Sequence, residues 1–264
     1  MRAYGAILSA RFRALLQYRA AALAGLGTQL FWGLIRVMIF GAFYESGRSA
    51  SAPMSFAQVV TYVWLGQAMI RLLLWRPDAD VQEMVRSGTV AYELTRPVDL
   101  YWLWYARSVA NVTAPTVLRA VPMVIIAGLF LGMQAPVSPA AGVAWAAAMV
   151  LAVLLTASIA TLLSISLLWT VSGQGVTTLV PAVVWCLSGM ILPLPMFPDW
   201  VQPLLEVLPF RGMMDTPFRI YVGHIPAAGW AGVLAHQAAW AAGLVMLGRW
   251  ILKRGTRRLV VQGG

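Results

Sequence analysis

Six stretches of this chain are apolar on every side rather than along one face, at about residues 23–44, 56–74, 109–133, 142–168, 177–192 and 227–251. A bilayer core takes on the order of 20 helical residues. The pattern therefore predicts an all-α, polytopic membrane protein with six transmembrane helices. Polar interruptions shape two of them. Asn111, Thr113, Pro115, Arg119 and Pro122 in the third predict a helix kinked against its neighbours. Thr156, Ser158, Thr161, Ser164 and Ser166 in the fourth fall largely on one side, where they can bond to neighbouring helices, to a wet cavity or back to their own helix.

The intervals between the apolar runs have patterns of their own. In residues 1–22, Tyr4, Leu8, Phe12, Leu15 and Leu16 share one side of a helical wheel, with Arg2 and Arg13 opposite. This predicts an amphipathic helix in the membrane interface. Arg11 and Arg19 fall inside its apolar arc and are expected to snorkel. In residues 77–107, Asp80 and Glu83 have capping-box spacing, Val81, Met84 and Val85 form an apolar edge, and Ser87-Gly88 supplies a stop. A short amphipathic helix follows from this. Arg96-Pro97 breaks the chain again, and Asp99 can cap a helix whose Tyr101, Trp102, Trp104 and Tyr105 read as an interfacial belt ahead of the third span. Residues 193–223 carry Pro193, Pro195, Pro198, Pro203, Pro209 and Pro217, more than a straight helix holds, and read as a re-entrant element with a short helix at 200–208 capped by Asp199.

Composition agrees with the pattern: the chain is 60% hydrophobic and only 11% charged, with mean hydropathy +0.76, far from a soluble domain. Its net charge of +10 in a soluble chain would suggest nucleic acid, but the arginines crowd both ends and residues 77–107. Fourteen basic residues on one side of the predicted membrane against Arg48, Arg211 and Arg219 on the other place both termini and residues 77–107 in the cytoplasm, and 193–223 outside. The charge thus sets orientation, and no nucleic-acid partner is expected. The first twenty residues have no uninterrupted apolar core, so no cleavable signal is expected either.

Several chemistries lack their residues. Cys186 has no second cysteine, and His224 and His236 stand twelve apart without a metal-binding pattern, so no disulfide or metal is expected. No GxSxG elbow is present. The one lysine, Lys253, is not preceded by a phosphate-cradling glycine loop, so this chain is not expected to hydrolyse ATP by that chemistry. All nine acids lie in or beside predicted loops, leaving no mid-membrane carboxylate for proton or cation coupling. Arg36 and Arg119 fall inside predicted spans, where a charge costs several kcal/mol. With no buried acid to pair with, each must meet helix carbonyls, lipid phosphate or a partner subunit. Alternatively they form an anion-attracting wall on a substrate path that also takes in Thr156 and Thr161.

The order of these features resembles the membrane subunits of ABC-2 type exporters, and most closely bacterial permeases of this length. The residues that carry the likeness are Ser87-Gly88, Leu94 and Arg96-Pro97-Val98, then Leu208-Pro209-Phe210 before Pro217 and Gly223, and a closing Gln262-Gly263-Gly264. The resemblance implies one ABC-2 type transmembrane domain over residues 1–264 in the bacterial inner membrane. It implies a translocation path shared with a second permease, identical or homologous. Two separate ATPase subunits, which hold the ATP and magnesium, would bind below; this chain has no cofactor of its own. The helix at 80–86 becomes the coupling helix. Val81, Met84 and Val85 would fill an apolar groove of the ATPase, Asp78, Asp80, Glu83 and Arg86 would set register, and Gly88, Arg96 and Pro97 would transmit its closure to the spans. A stand-alone channel or secondary carrier, with residues 77–107 merely structural, is the alternative.

Overall fold

A computed structural model describes residues 2–17, 19–47, 52–73, 76–170 and 174–256. The closing Gln262-Gly263-Gly264 and the charges Arg48, Arg257 and Arg258 lie outside these residues. The described chain is all-helical, with 79% helix and no strand. Eleven α-helices follow one another: α1 Arg2–Leu16, α2 Arg19–Glu45, α3 Phe56–Met69, α4 Ala79–Arg86, α5 Val90–Leu94, α6 Leu100–Phe130, α7 Pro139–Ser166, α8 Gln174–Leu187, α9 Gln202–Val207, α10 Asp215–Tyr221 and α11 Ala227–Thr256.

Among the described residues, four helices are long and apolar enough to cross a membrane: α2 over Ala24–Glu45, α6, α7 and α11. The other two expected spans are shorter. The second is α3, which stops at Met69 and tightens into a 3-10 turn over Ile70–Leu72, and the fifth is α8. The third span is longer than expected. Asp99 caps it by accepting from the Trp102 amide, and the helix then runs unbroken through Pro115 and Pro122. Residues 100–107 are therefore its first turns rather than a separate belt, and Tyr101, Trp104 and Tyr105 are buried, leaving only Trp102 exposed.

Helix α7 is central: 67% of its most apolar window is buried, against 17% for α2 and for α11. Its small residues explain this. Ala141, Ala144, Ala148 and Ala152 recur at helical spacing and are all buried, so neighbouring helices can approach closely. Helices α6, α10 and α11 pack around α7, and Gln237 of α11 donates to the carbonyls of Ala148 and Gly212. Most α7 hydroxyls turn inward to their own helix: Ser158, Thr161 and Ser164 donate to the carbonyls of Leu154, Ala157 and Ala160.

Residues 193–223 form short helices, of which α10 packs on α7, and their caps differ from those expected. The short helix is Gln202–Val207, and Asp199 supplies a backbone carbonyl rather than a side-chain cap. At the start of α10, Asp215 is fully buried. Its carboxylate accepts from the Leu194 amide (3.0 Å), from Tyr62 Oη (2.9 Å) and from Arg219 Nη1 (3.2 Å). An acid near a loop in sequence is thus enclosed in the fold, contrary to the expectation that no carboxylate is buried. Gly189 completes the knot. It has φ +86, and a Cβ there would stand 2.4 Å from the Tyr62 hydroxyl, so only glycine fits.

Candidate functional site

Two groups of residues stand out: a charged clamp around α4 and a cavity among α2, α3, α6 and α8.

The clamp begins with Asp78, not Asp80. Asp78 is the N-cap of α4, accepting from the Asp80 amide at 3.0 Å. Its other carboxylate oxygen accepts from Arg107 Nε (3.2 Å) and Asn111 Nδ2 (3.0 Å) of α6. Arg107 then spends its whole fork: Nη2 reaches Asp80 at 3.0 Å and Nη1 reaches Glu93 of α5 at 3.3 Å. Glu93 also accepts from the Trp104 indole at 2.7 Å. From the other side Arg11 of α1 meets Asp80 at 2.5 Å and Asn111 at 3.2 Å, with Asp78 3.6 Å away. Arg11 therefore does not snorkel; it leaves the apolar arc to join acids that lie distant in sequence. Two guanidiniums and three carboxylates, of which Asp78 and Glu93 are buried, lock α1, α4, α5 and α6 together. At the start of α6 the Asp99 amide donates to Tyr4 Oη (2.9 Å), which fastens α1 along that helix.

This clamp orients α4. Val81 is buried among Leu100, Tyr101, Leu103 and Trp104, with Met84 and Val85 half-buried beside it. The apolar edge expected to meet a partner thus faces the bundle instead. The outward face carries Glu83, Arg86, Ser87, Gly88 and Thr89, then Tyr92, Leu94, Arg96 and Pro97. Gly88, with φ +75, makes the turn between α4 and α5. Tyr92 and Leu94 are 72% and 44% exposed, so the large apolar contacts of this surface come from α5. Sequence reading missed them, and it missed the clamp as well. Trp104, Arg107 and Asn111 do form a stripe at helical spacing, but it is visible only once α6 is begun at residue 100.

The cavity, of about 490 Å³, is lined by Gly25, Thr28, Gln29, Trp32 and Arg36 of α2, Gln67, Ile70 and Arg71 at the end of α3, Arg119 of α6 and Trp185 of α8. Arg36 Nη1 donates to the Met190 carbonyl at 2.6 Å. The Arg119 guanidinium lies over Gly25, where a Cβ would come within 2.6 Å of it. Gln29 and Gln67 are buried, and their side-chain oxygens have no hydrogen-bond partner. The structure brings Arg36 and Arg119 into the lining of one cavity and adds Arg71. It does not bring Thr156 or Thr161 there: both are fully buried in α7 packing, where Thr161 also meets Ser108 of α6 at 3.2 Å. The unread signal was the stripe Gly25, Gln29, Trp32 and Arg36, spaced 4, 3 and 4 on an otherwise apolar helix.

A family model described as ABC-2 family transporter protein matches residues 30–263. Comparison with curated proteins gives no match.

Proposed function

We infer, from the premise that this chain belongs to the ABC-2 transporter family, that it is the exporting permease of a pump whose motor is a separate protein. Membership makes it a membrane-embedded permease subunit of an ABC transporter, not itself catalytic, and implies association with ABC ATPase subunits. In our reading two ATPase copies serve a pair of permeases, this chain and a second that is identical or homologous. The membrane is the inner membrane of a bacterium, crossed six times, with both termini and the α4–α5 surface on the cytoplasmic side. Export proceeds by alternating access.

One observation carries the coupling role. The α4–α5 surface is exposed on its outer face and fixed on its inner face to a long apolar helix through Arg107. A motor that moves α4 therefore moves α6 with it, whereas a solvated loop would absorb the displacement. Contact comes from Tyr92 and Leu94, flanked by Glu83, Arg86 and Arg96, which select register by charge. The test is co-purification: Tyr92→Asp with Leu94→Asp is expected to remove at least nine-tenths of the bound ATPase on the order expected for paired hot-spot losses, without changing the thermal unfolding of the permease. Full retention of the ATPase by that variant rejects this surface as the docking site. Substrate flux through the chain alone in liposomes, without ATP, rejects the motor-driven reading.

A further inference from the structure

The arginine cavity is more polar than helix packing needs, and its polarity has a direction. Its charged lining is entirely cationic, with Arg36, Arg71 and Arg119 arriving from three different elements. Arg71 and Arg119 line the same cavity, so the fold holds like charges together beside apolar side chains. Gln29 and Gln67 present buried oxygens that lack a donor, at 5% and 1% exposure. A buried acceptor without a donor is unfavourable, so these oxygens favour a ligand that brings donors. Trp32, Ile70 and Trp185 supply apolar wall beside these groups. The volume falls within the range of about 300–1,000 Å³ typical of small-molecule sites.

The cavity also has an approach. A second hollow of about 480 Å³ lies beside the clamp, lined among others by Arg11, Arg76, Asp78 and Asn111. Arg71 lines both hollows. From Gly25 to Arg36 the α2 side of the inner cavity rises roughly 16 Å along the helix. Cationic groups therefore continue from the α4 end of the bundle up into the apolar region.

We propose that this cavity binds the head group of an amphiphile bearing a phosphate and free hydroxyls, with the phosphate among Arg36, Arg71 and Arg119 and the hydroxyls donating to Gln29 and Gln67. Guanidinium forks match phosphate oxygens, the two amide oxygens require donors, and the tryptophan-lined wall takes the first part of an apolar tail. The site deepens the permease reading, since it names the class of cargo, but binding is measurable without any motor.

The experiment measures binding of phosphatidylglycerol, phosphatidylcholine and glycerol 3-phosphate to the purified full-length chain in uncharged detergent. Phosphatidylglycerol is expected to bind at least tenfold more tightly than phosphatidylcholine, which lacks free hydroxyls and net charge. Equal or tighter binding of glycerol 3-phosphate identifies a soluble phosphate ester as the source; its failure to compete identifies a lipid. Arg119→Gln and Gln67→Leu are each expected to weaken phosphatidylglycerol binding about tenfold. Arg119→Gln leaves the Met190 contact of Arg36 in place, and Gln67→Leu removes no charge, so one of them reports even if the other is misfolded. Equal affinity for the two lipids, or unchanged affinity in a folded variant, overturns the site. An unaltered chain that co-purifies with no ATPase yet binds lipid as expected would count against the permease reading alone.

Discussion

Arg107 is the residue on which the clamp turns. Its side chain is 13% exposed and faces two carboxylates, Asp78 and Glu93, that are nearly sealed from water. Removing it leaves buried Glu93 without its cation and Asp78 with only the 3.6 Å contact to Arg11, so Arg107→Ala is expected to lower stability by about 3–5 kcal/mol. Arg11 shares Asp80 but is 31% exposed and meets a half-exposed partner. Arg11→Ala should therefore cost only about 1 kcal/mol. Thermal unfolding in detergent separates the two, and equal losses would mean that Arg107 is no more central than Arg11. Asp78 shows why such detail escapes a sequence. Asp78 and Asp80 are both plausible caps by spacing, and the choice is made by Arg107 and Asn111, which arrive from α6.

Among the elements, those set by local chemistry were the most legible. Asp99 before α6 and the Ser87-Gly88 stop after α4 appear where their residue types predict them. The cap of α3 is equally local: Ser55 accepts from the Gln58 amide, and Gln58 Oε1 accepts in return from the Ser55 amide. Ser55→Ala is expected to cost about 1 kcal/mol in unfolding measurements. Which way α4 faces was not legible, because an apolar edge fits a partner's groove and the bundle's own side equally well. The segment after α10 adds a pH response. His224 accepts from Arg219 Nε at 3.1 Å, and burial, with that guanidinium beside it, holds its imidazole below the usual value. The unfolded chain takes up the proton first, at about pH 6.5. Stability is therefore complete above about pH 7 and falls as pH drops through 6.5 towards the lower folded value. Thermal scans between pH 5 and 8 should show this slope in the native chain and a weaker one in His224→Asn.

At the scale of the molecule, the apolar runs announced a helical membrane protein, but not which helix is central or which pairs touch. Close approach decides both, and it depends on single glycines whose partners lie far along the chain. A Cβ on Gly33 of α2 would stand 2.4 Å from the Trp64 ring of α3. Gly33→Leu is expected to push α2 from α3 and cost about 1–3 kcal/mol. Gly27, with open space around it, should tolerate the same change in the same assay. The buried Asp215 also belongs to this scale: its neighbours Tyr62 and Leu194 stand 153 and 21 residues away in sequence, so no local pattern marks it as enclosed.

The fastening of α1 to α6 has a consequence for synthesis. Arg11 is made early, but its anchors Asp80 and Asn111 follow 69 and 100 residues later. Until α6 leaves the ribosome, α1 has an apolar side and no helix to cover it. The nascent chain must therefore rest the apolar side of α1 on lipid until α6 arrives, so in a chain halted before Asn111 that side should be labelled by a membrane-dissolved reagent more strongly than in the finished protein, where it packs on α6.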